Sequence, residues 1–158
     1  MFVGLGYDVH AFKKGRVLVL GGVKFKYPLG LDGHSDADVV IHALMDAILG
    51  AAGKSDIGTY FPNTSASYKG ISSLELLKKV AAIIKKDSLK INNVDISVIA
   101  EKPKISASVS RMKTRIAGAL GIKPQRVGIK ATTNEGMGFI GRGEGIAAMA
   151  VASLSGIE

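Results

Sequence analysis

The sequence predicts an α+β fold, a mixed β-sheet with helices packed on one face, in a single domain. Three observations predict it. Strand-like segments dominate the start of the chain, strand and helix patterns alternate in its second half, and no internal repeat or linker interrupts it. A chain of 158 residues is long enough to bury one real core.

Residues 2–12 read as a strand, 13–16 as a turn and 16–21 as a return strand. Residues 23–27 alternate apolar and basic side chains, the pattern of a half-exposed strand, and 28–33 form a loop. The strongest helix covers 35–52. Ser35 or Asp36 caps it, Asp36 and Asp38 suit its positive end, and Gly53 suits its stop. Asp38, His42 and Asp46 follow a four-residue spacing and share a helix face. Asp46 is therefore either a partner that orients His42 or an ordinary surface carboxylate. Residues 56–70 read as a loop, 72–86 as an amphipathic helix and 89–100 as a β-branched strand. A helix over 106–120 stops at Gly121, a strand covers 126–132, and a glycine-rich loop covers 134–145. Residues 146–154 are small and apolar, a strand or a buried helix, which periodicity does not separate.

Composition narrows the function. There is no cysteine, which excludes a disulfide scaffold, a thiolate metal site and a cysteine nucleophile. The 20 glycines exceed the roughly 7% of average usage and point either to close backbone approach to a ligand or to tight turns. The formal charge is +8, but its lysines are scattered and no aromatic-interleaved basic block stands out. A solvated basic surface, not a nucleic-acid partner, is the reading. The chain opens without a charged leader and apolar segment, and no apolar run approaches the roughly 20 residues of a spanning helix. The expected location is the cytoplasm, with no membrane partner.

Four constellations carry chemistry. Asp8 and His10 stand two apart in a predicted strand, so both side chains point to one face. With His42 they supply a carboxylate and two imidazoles, the donor set of an open metal site. Thr132-Thr133-Asn134-Glu135 ends a strand before Gly136. It reads as a phosphate cradle, with Glu135 available to a hard cation, or as a capped turn. Arg142 between Gly141 and Gly143 reads as an anion clamp or a hairpin tip. Lys104 reads as a point charge for a phosphate or as a surface lysine.

Taken in order, the segments Gly6-Tyr7-Asp8-Val9-His10-Ala11-Phe12, Gly33-His34-Ser35-Asp36-Ala37-Asp38, His42-Ala43-Leu44-Met45-Asp46-Ala47, Asp56-Ile57-Gly58 to Phe61-Pro62, Ala100-Glu101-Lys102-Pro103-Lys104, Lys130-Ala131-Thr132-Thr133 and Gly141-Arg142-Gly143-Glu144-Gly145 closely resemble the 2-C-methyl-D-erythritol 2,4-cyclodiphosphate synthases. These are enzymes of the non-mevalonate route to isoprenoids. The resemblance implies a homotrimer with active sites between subunits and a small-molecule cytidine diphosphate substrate. It implies zinc on Asp8, His10 and His42, and a second divalent ion, magnesium or manganese, on Glu135. His34 and Ser35 match the loop that contacts the substrate phosphates. Asp56, Ile57, Gly58, Phe61, Pro62, Asn63, Thr64 and Ser65 match the methylerythritol site. Ala100, Lys104, Ile105 and Ser106, with Ala131, Thr132, Thr133 and Asn134, match the cytidine diphosphate site. Phe139 and Arg142 occupy the remaining substrate-side positions, and His34 and Thr133 are the expected hydrogen-bond donors to the transition state. Asn63 and Ser65 stand where the family often has acids. Met149 stands where some members have a glutamate near Arg142, which counts against a prenyl diphosphate along the trimer axis. The rival readings are a zinc phosphohydrolase that uses water and a non-catalytic nucleotide-binding module.

Overall fold

In the computed structural model, which describes residues 1–157, the chain opens with a long strand, β1 (Phe2–Lys13). Two short strands follow, β2 (Leu18–Leu20) and β3 (Val23–Phe25), and they pair with each other. The residues between them, Gly21 and Gly22, both have positive φ, the backbone that a two-residue hairpin turn requires. The expected return strand along β1 is thus a separate hairpin. A two-residue strand, β4 (Gly30–Leu31), pairs with the end of β1 instead.

Helix α1 (Val39–Ala51) follows. Its cap is Asp38, whose carboxylate accepts from the Ile41 N–H at 3.2 Å, and not Ser35 or Asp36. Asp38 is also the acceptor for the Gly21 and Gly22 N–H groups at 2.9 and 2.7 Å, so it ties the hairpin tip to the helix start. Burial, helped by the nearby Asp36, pushes its carboxyl up to about 6 against those donors.

The expected loop over 56–70 contains a single helical turn, α2 (Ile57–Tyr60), capped by Asp56. Helix α3 (Ser73–Lys86), strand β5 (Leu89–Ile99), helix α4 (Val109–Leu120) and strand β6 (Val127–Thr132) complete the alternation. The glycine-rich segment holds one more turn, α5 (Gly138–Gly141), before β7 (Gly145–Gly156). The ambiguous segment 146–154 is therefore strand.

The main sheet runs β4-β1-β7-β5-β6, with β5 and β6 parallel and the other pairs antiparallel. Helices α1, α3 and α4 cover one face, as expected. Helix α1 is buried almost throughout between the sheet and α3. Among the described residues no helix is long and apolar enough to cross a membrane.

Two glycines set how close α1 comes to β1. A Cβ on Gly4 would lie 2.2 Å from the Ala47 carbonyl oxygen, and one on Gly6 would lie 2.0 Å from that of Ala43. Neither glycine serves a ligand or a turn; they admit a helix backbone. Because the obstacle is backbone, Gly6→Ala has no side chain to displace, and it should cost about 2–3 kcal/mol, the upper part of the overpacking range. Urea unfolding checks this, and an unchanged midpoint would show that α1 moves away freely.

Candidate metal centre and adjoining pocket

Strand alternation puts Asp8 and His10 on the face of β1 that carries Gly4 and Gly6, toward α1. Helix α1 brings down His42. His10 Nε2 lies 2.9 Å from Asp8 Oδ2, His42 Nδ1 lies 3.2 Å from the same oxygen, and the two ring nitrogens are 3.1 Å apart. An ion held tetrahedrally at about 2.0–2.1 Å separates its ligand atoms by about 3.3–3.4 Å. The triangle is slightly tighter than that spacing, and its donors suit a divalent transition metal.

Each ring is held from behind. His10 Nδ1 donates to the Asp32 carbonyl at 2.5 Å, which leaves Nε2 facing the triangle. His42 Nε2 meets two hydroxyls, Ser73 Oγ at 3.0 Å and Ser35 Oγ at 3.2 Å. Asp46 does not orient His42. Its Oδ1 accepts the Ile57 N–H at 2.8 Å and fastens α2 to α1.

Burial raises the Asp8 carboxyl, but the hydrogen bond and charge of His10, with the His42 imidazole beside them, outweigh it and hold the group at about 2. Burial lowers the His10 imidazole, and the Asp8 hydrogen bond and charge, with the Asp32 carbonyl, outweigh that and raise it above 6.5.

The triangle opens into a cavity of about 400 Å³. Of the residues expected beside it, His34, Ser35, Ile57, Gly58, Phe61, Pro62, Asn63 and Thr64 line the wall. Asp56 and Ser65 act behind it. Asp56 accepts from Thr59 N–H and hydroxyl, and the Ser65 carbonyl accepts from His34 Nε2 at 3.2 Å. Tyr68 and Leu76 also line the cavity and were not foreseen. Leu76 stands three residues after Ser73, so helical spacing would have found it had Ser73 been recognised.

The other expected residues lie elsewhere. Asp8, Ala148, Val98 and Ala131 form one row across β1, β7, β5 and β6. Three strand spacings of about 4.8 Å put the ends of this row about 14 Å apart. Ala131, Thr132, Thr133, Asn134 and Glu135 therefore gather with Ala100 at the far ends of β5 and β6, where the Ala100 N–H meets the Thr132 carbonyl at 3.0 Å. Glu101 organises this loop, and sequence reasoning gave it no role. Its Oε1 accepts from the N–H groups of Asn134 at 2.8 Å and Gly136 at 3.3 Å. The Thr133 hydroxyl donates to Glu135 Oε1 at 2.9 Å, so the proton expected to face a phosphate is held by that carboxylate. Lys104 and Ser106 are exposed, whereas the Ile105 side chain is part of the core. Phe139 is half exposed, and Arg142 pairs with Glu144 at 2.6 Å, the arrangement of a loop tip more than of a free anion clamp.

Comparison with known proteins bears on both groups. The model of the YgbB family matches residues 1–155. A curated 2-C-methyl-D-erythritol 2,4-cyclodiphosphate synthase from Symbiobacterium thermophilum is 56% identical over 156 residues, 99% of each chain. Among solved structures, the bifunctional IspDF of Campylobacter jejuni superposes with a TM-score of 0.94 at 42% identity, over 98% of this chain and 42% of that longer one. IspF of Plasmodium falciparum, solved as a CDP complex, superposes with a TM-score of 0.87 at 36% identity, over 99% of this chain and 97% of its own.

Metal binding at the triangle displaces the His10 proton. Affinity for a divalent ion should fall about tenfold per pH unit below the raised value of His10, and level off above it. Titration calorimetry between pH 5.5 and 8 measures this, and a flat profile would remove His10 from the ligand set. In the metal-free protein the sign is opposite. Stability from protonated His10 is complete below 6.5 and is lost as pH rises through its folded value.

Proposed function

The chain belongs to the YgbB family, and from that premise we propose that it is a 2-C-methyl-D-erythritol 2,4-cyclodiphosphate synthase acting in isoprenoid precursor biosynthesis. The observation that carries this reading is the Asp8–His10–His42 triangle opening into a pocket walled by His34, Ser35 and Ile57. The substrate of such an enzyme is 4-diphosphocytidyl-2-C-methyl-D-erythritol 2-phosphate. A 2-phosphate oxygen forms a bond to the β-phosphorus, the bond from that phosphorus to the bridging oxygen breaks, and CMP leaves. The product is the cyclic diphosphate.

No side-chain nucleophile is needed. A phosphate monoester has its second pKa near ~6, so the attacking group is already largely ionised at neutral pH. The task left to the protein is to hold two anions together, which is positioning plus charge neutralisation. Asp8, His10 and His42 would hold zinc, which when bound would supply Lewis-acid polarisation of the β-phosphate. Glu135 would hold magnesium or manganese, which would supply further charge neutralisation beside the departing CMP. Thr133 positions Glu135 through its hydroxyl. His34 gives its Nε2–H to the Ser65 carbonyl in the free protein. A phosphate oxygen is a stronger, charged acceptor and takes over that donor. The wall formed by Ile57, Phe61 and Pro62 seats the methylerythritol carbons. Ala100, Lys104, Ser106, Ala131 and Thr132 receive the cytidine diphosphate end. Fixing both ends lowers the entropic barrier to ring closure, an effect worth up to roughly 7–11 kcal/mol in favourable systems.

The two half-sites are about 14 Å apart within one chain, which supports a site completed by a neighbouring copy, as in a homotrimer. The outer face of the sheet supplies the surface for that contact. Val3, Leu5, Tyr7 and Val9 of β1 and Met149 and Val151 of β7 are all exposed there, on the face opposite α1. Such a patch on a soluble protein marks an association surface.

Incubation with the cytidyl substrate should release CMP, with a phosphorus-31 spectrum of a cyclic diphosphate. His42→Ala and Asp8→Asn should abolish zinc binding and nearly all turnover. Free phosphate esters as products would favour the hydrolase instead. Leu5→Lys, at a position 63% exposed, should give monomers by light scattering that bind zinc but turn over little. Active monomers would end the shared-site reading.

A further inference from the structure

We infer that Asp36 and Ser73 form a hydrogen-bond relay that fixes which nitrogen of His42 faces the metal, so that both are positioning residues of the metal centre. The inference rests on the metal reading above and concerns residues outside its ligand set.

Ser73 is the first residue of α3 and is 0% exposed. Its Oγ lies 3.0 Å from His42 Nε2 and 2.5 Å from Asp36 Oδ1. Asp36 is already engaged by groups that can only donate. Its Oδ1 accepts from the Asp38 N–H at 3.2 Å and its Oδ2 from the Ser73 N–H at 3.0 Å. An ionised carboxylate only accepts, so the hydrogen between Asp36 and Ser73 is the serine's own. Having given it to Asp36, Ser73 Oγ offers His42 only lone pairs. His42 Nε2 must then carry the ring hydrogen, and Nδ1 must be bare. Nδ1 is the atom that faces Asp8 and His10. Ser35 leaves the choice to Ser73, since its Oγ accepts from the Ala37 N–H, keeps its own hydrogen and stands 3.2 Å from the same Nε2.

The relay has a competitor to overcome. Without metal, Asp8 Oδ2 sits 3.2 Å from His42 Nδ1 and would reward the other tautomer, with the hydrogen on Nδ1. That tautomer would set a bare Nε2 against the lone pairs of Ser73, the nearer of its two hydroxyls, and so forfeit that buried hydrogen bond. The relay therefore presents a metal-ready nitrogen before any ion arrives. Asp36 has a second task. Ser72, at the N-cap of α3, makes no side-chain cap bond, and Asp36 accepts the Ser73 N–H in its place. The same carboxylate thus joins helix α3 to the metal centre.

The test uses the full-length protein. Asp36→Asn keeps the side-chain size, but either orientation of its amide turns a donor toward a group that already donates. Ser73→Ala removes the relay oxygen and leaves the Asp36 cap intact. In long-range nitrogen-15 imidazole spectra at pH 8, metal-free wild type should show His42 protonated on Nε2, and Asp36→Asn should move it toward Nδ1. Zinc affinity, read by competition with a chromophoric chelator, should fall about 10–100-fold in both variants, the usual effect of removing a group that orients a ligand. A purely structural role would lower the melting temperature and leave the tautomer and the zinc affinity of the folded protein unchanged. Wild type protonated on Nδ1, or both variants holding zinc as tightly as wild type, would overturn the relay. If wild type binds zinc and Asp8→Asn does not, that second result sinks the relay alone. If wild type binds no zinc, the metal reading falls and the relay with it.

Discussion

The separation between β1 and α1 depends on side chains that are missing. Gly4 and Gly6 put bare backbone under the helix, and Ala43 and Ala47 present small residues from above. The Asp8, His10 and His42 donors come from these two elements and from nothing else. Their mutual distances of 2.9–3.2 Å already lie slightly under the spacing of a tetrahedral shell, whose bond lengths tolerate errors of only about 0.2 Å. A methyl group at either glycine is several times larger than that tolerance. Packing of the core and geometry of the centre are therefore one constraint.

The segment between β4 and α1 turns that constraint into a site. Asp38 caps α1 and binds the tip of the β2–β3 hairpin. Asp36 reaches α3, and Ser35 reaches His42. His34 holds the far wall of the pocket through the Ser65 carbonyl. Among the described residues no buried side-chain polar atom lacks a partner. A polar network inside a core is costly when partly satisfied and rigidifying when complete. Here it is complete, and within residues 34–38 it joins site partners, through His34 and Ser35, to structural ones, through Asp36 and Asp38. Changes in this segment should therefore seldom affect stability alone.

What the sequence revealed follows from how local each signal is. Alternation and helical spacing located β1, β5 and β6 and the three long helices, because both periodicities are set within a few residues. Asp8 and His10 were legible together for the same reason. Two misreadings, the helix start and the role of Asp46, share one cause, a partner far away in the chain. The helix was expected to start at 35 because Asp36 is a good cap, but Asp36 serves Ser73, 37 residues on. Asp46 does lie on the His42 side of α1, yet its partner is the Ile57 N–H, which no side-chain pattern announces. Residues 146–154 hid their strand because both faces are apolar. Ala148, Ala150 and Ala152 face α1, while Met149 and Val151 face outward. The hairpin was the exception, since Gly21-Gly22 between apolar residues is a local signal of a two-residue turn.

The outward face closes the argument about where chemistry is completed. Antiparallel pairing on both sides of β7 makes β1, β5 and β6 parallel to one another. Their C-terminal ends, with Asp8 and His10 on one side and Thr132 to Glu135 on the other, therefore lie at the same end of the sheet. Within one copy the Asp8 and Ala131 ends of their shared row lie about 14 Å apart. Copies joined through the apolar outer face, with their strands aligned, would bring the β6 end of one toward the β1 end of the next. On the proposed shared-site reading, the apolar residues opposite α1 and the separation of the two half-sites have a single explanation: a site that a neighbouring copy would finish.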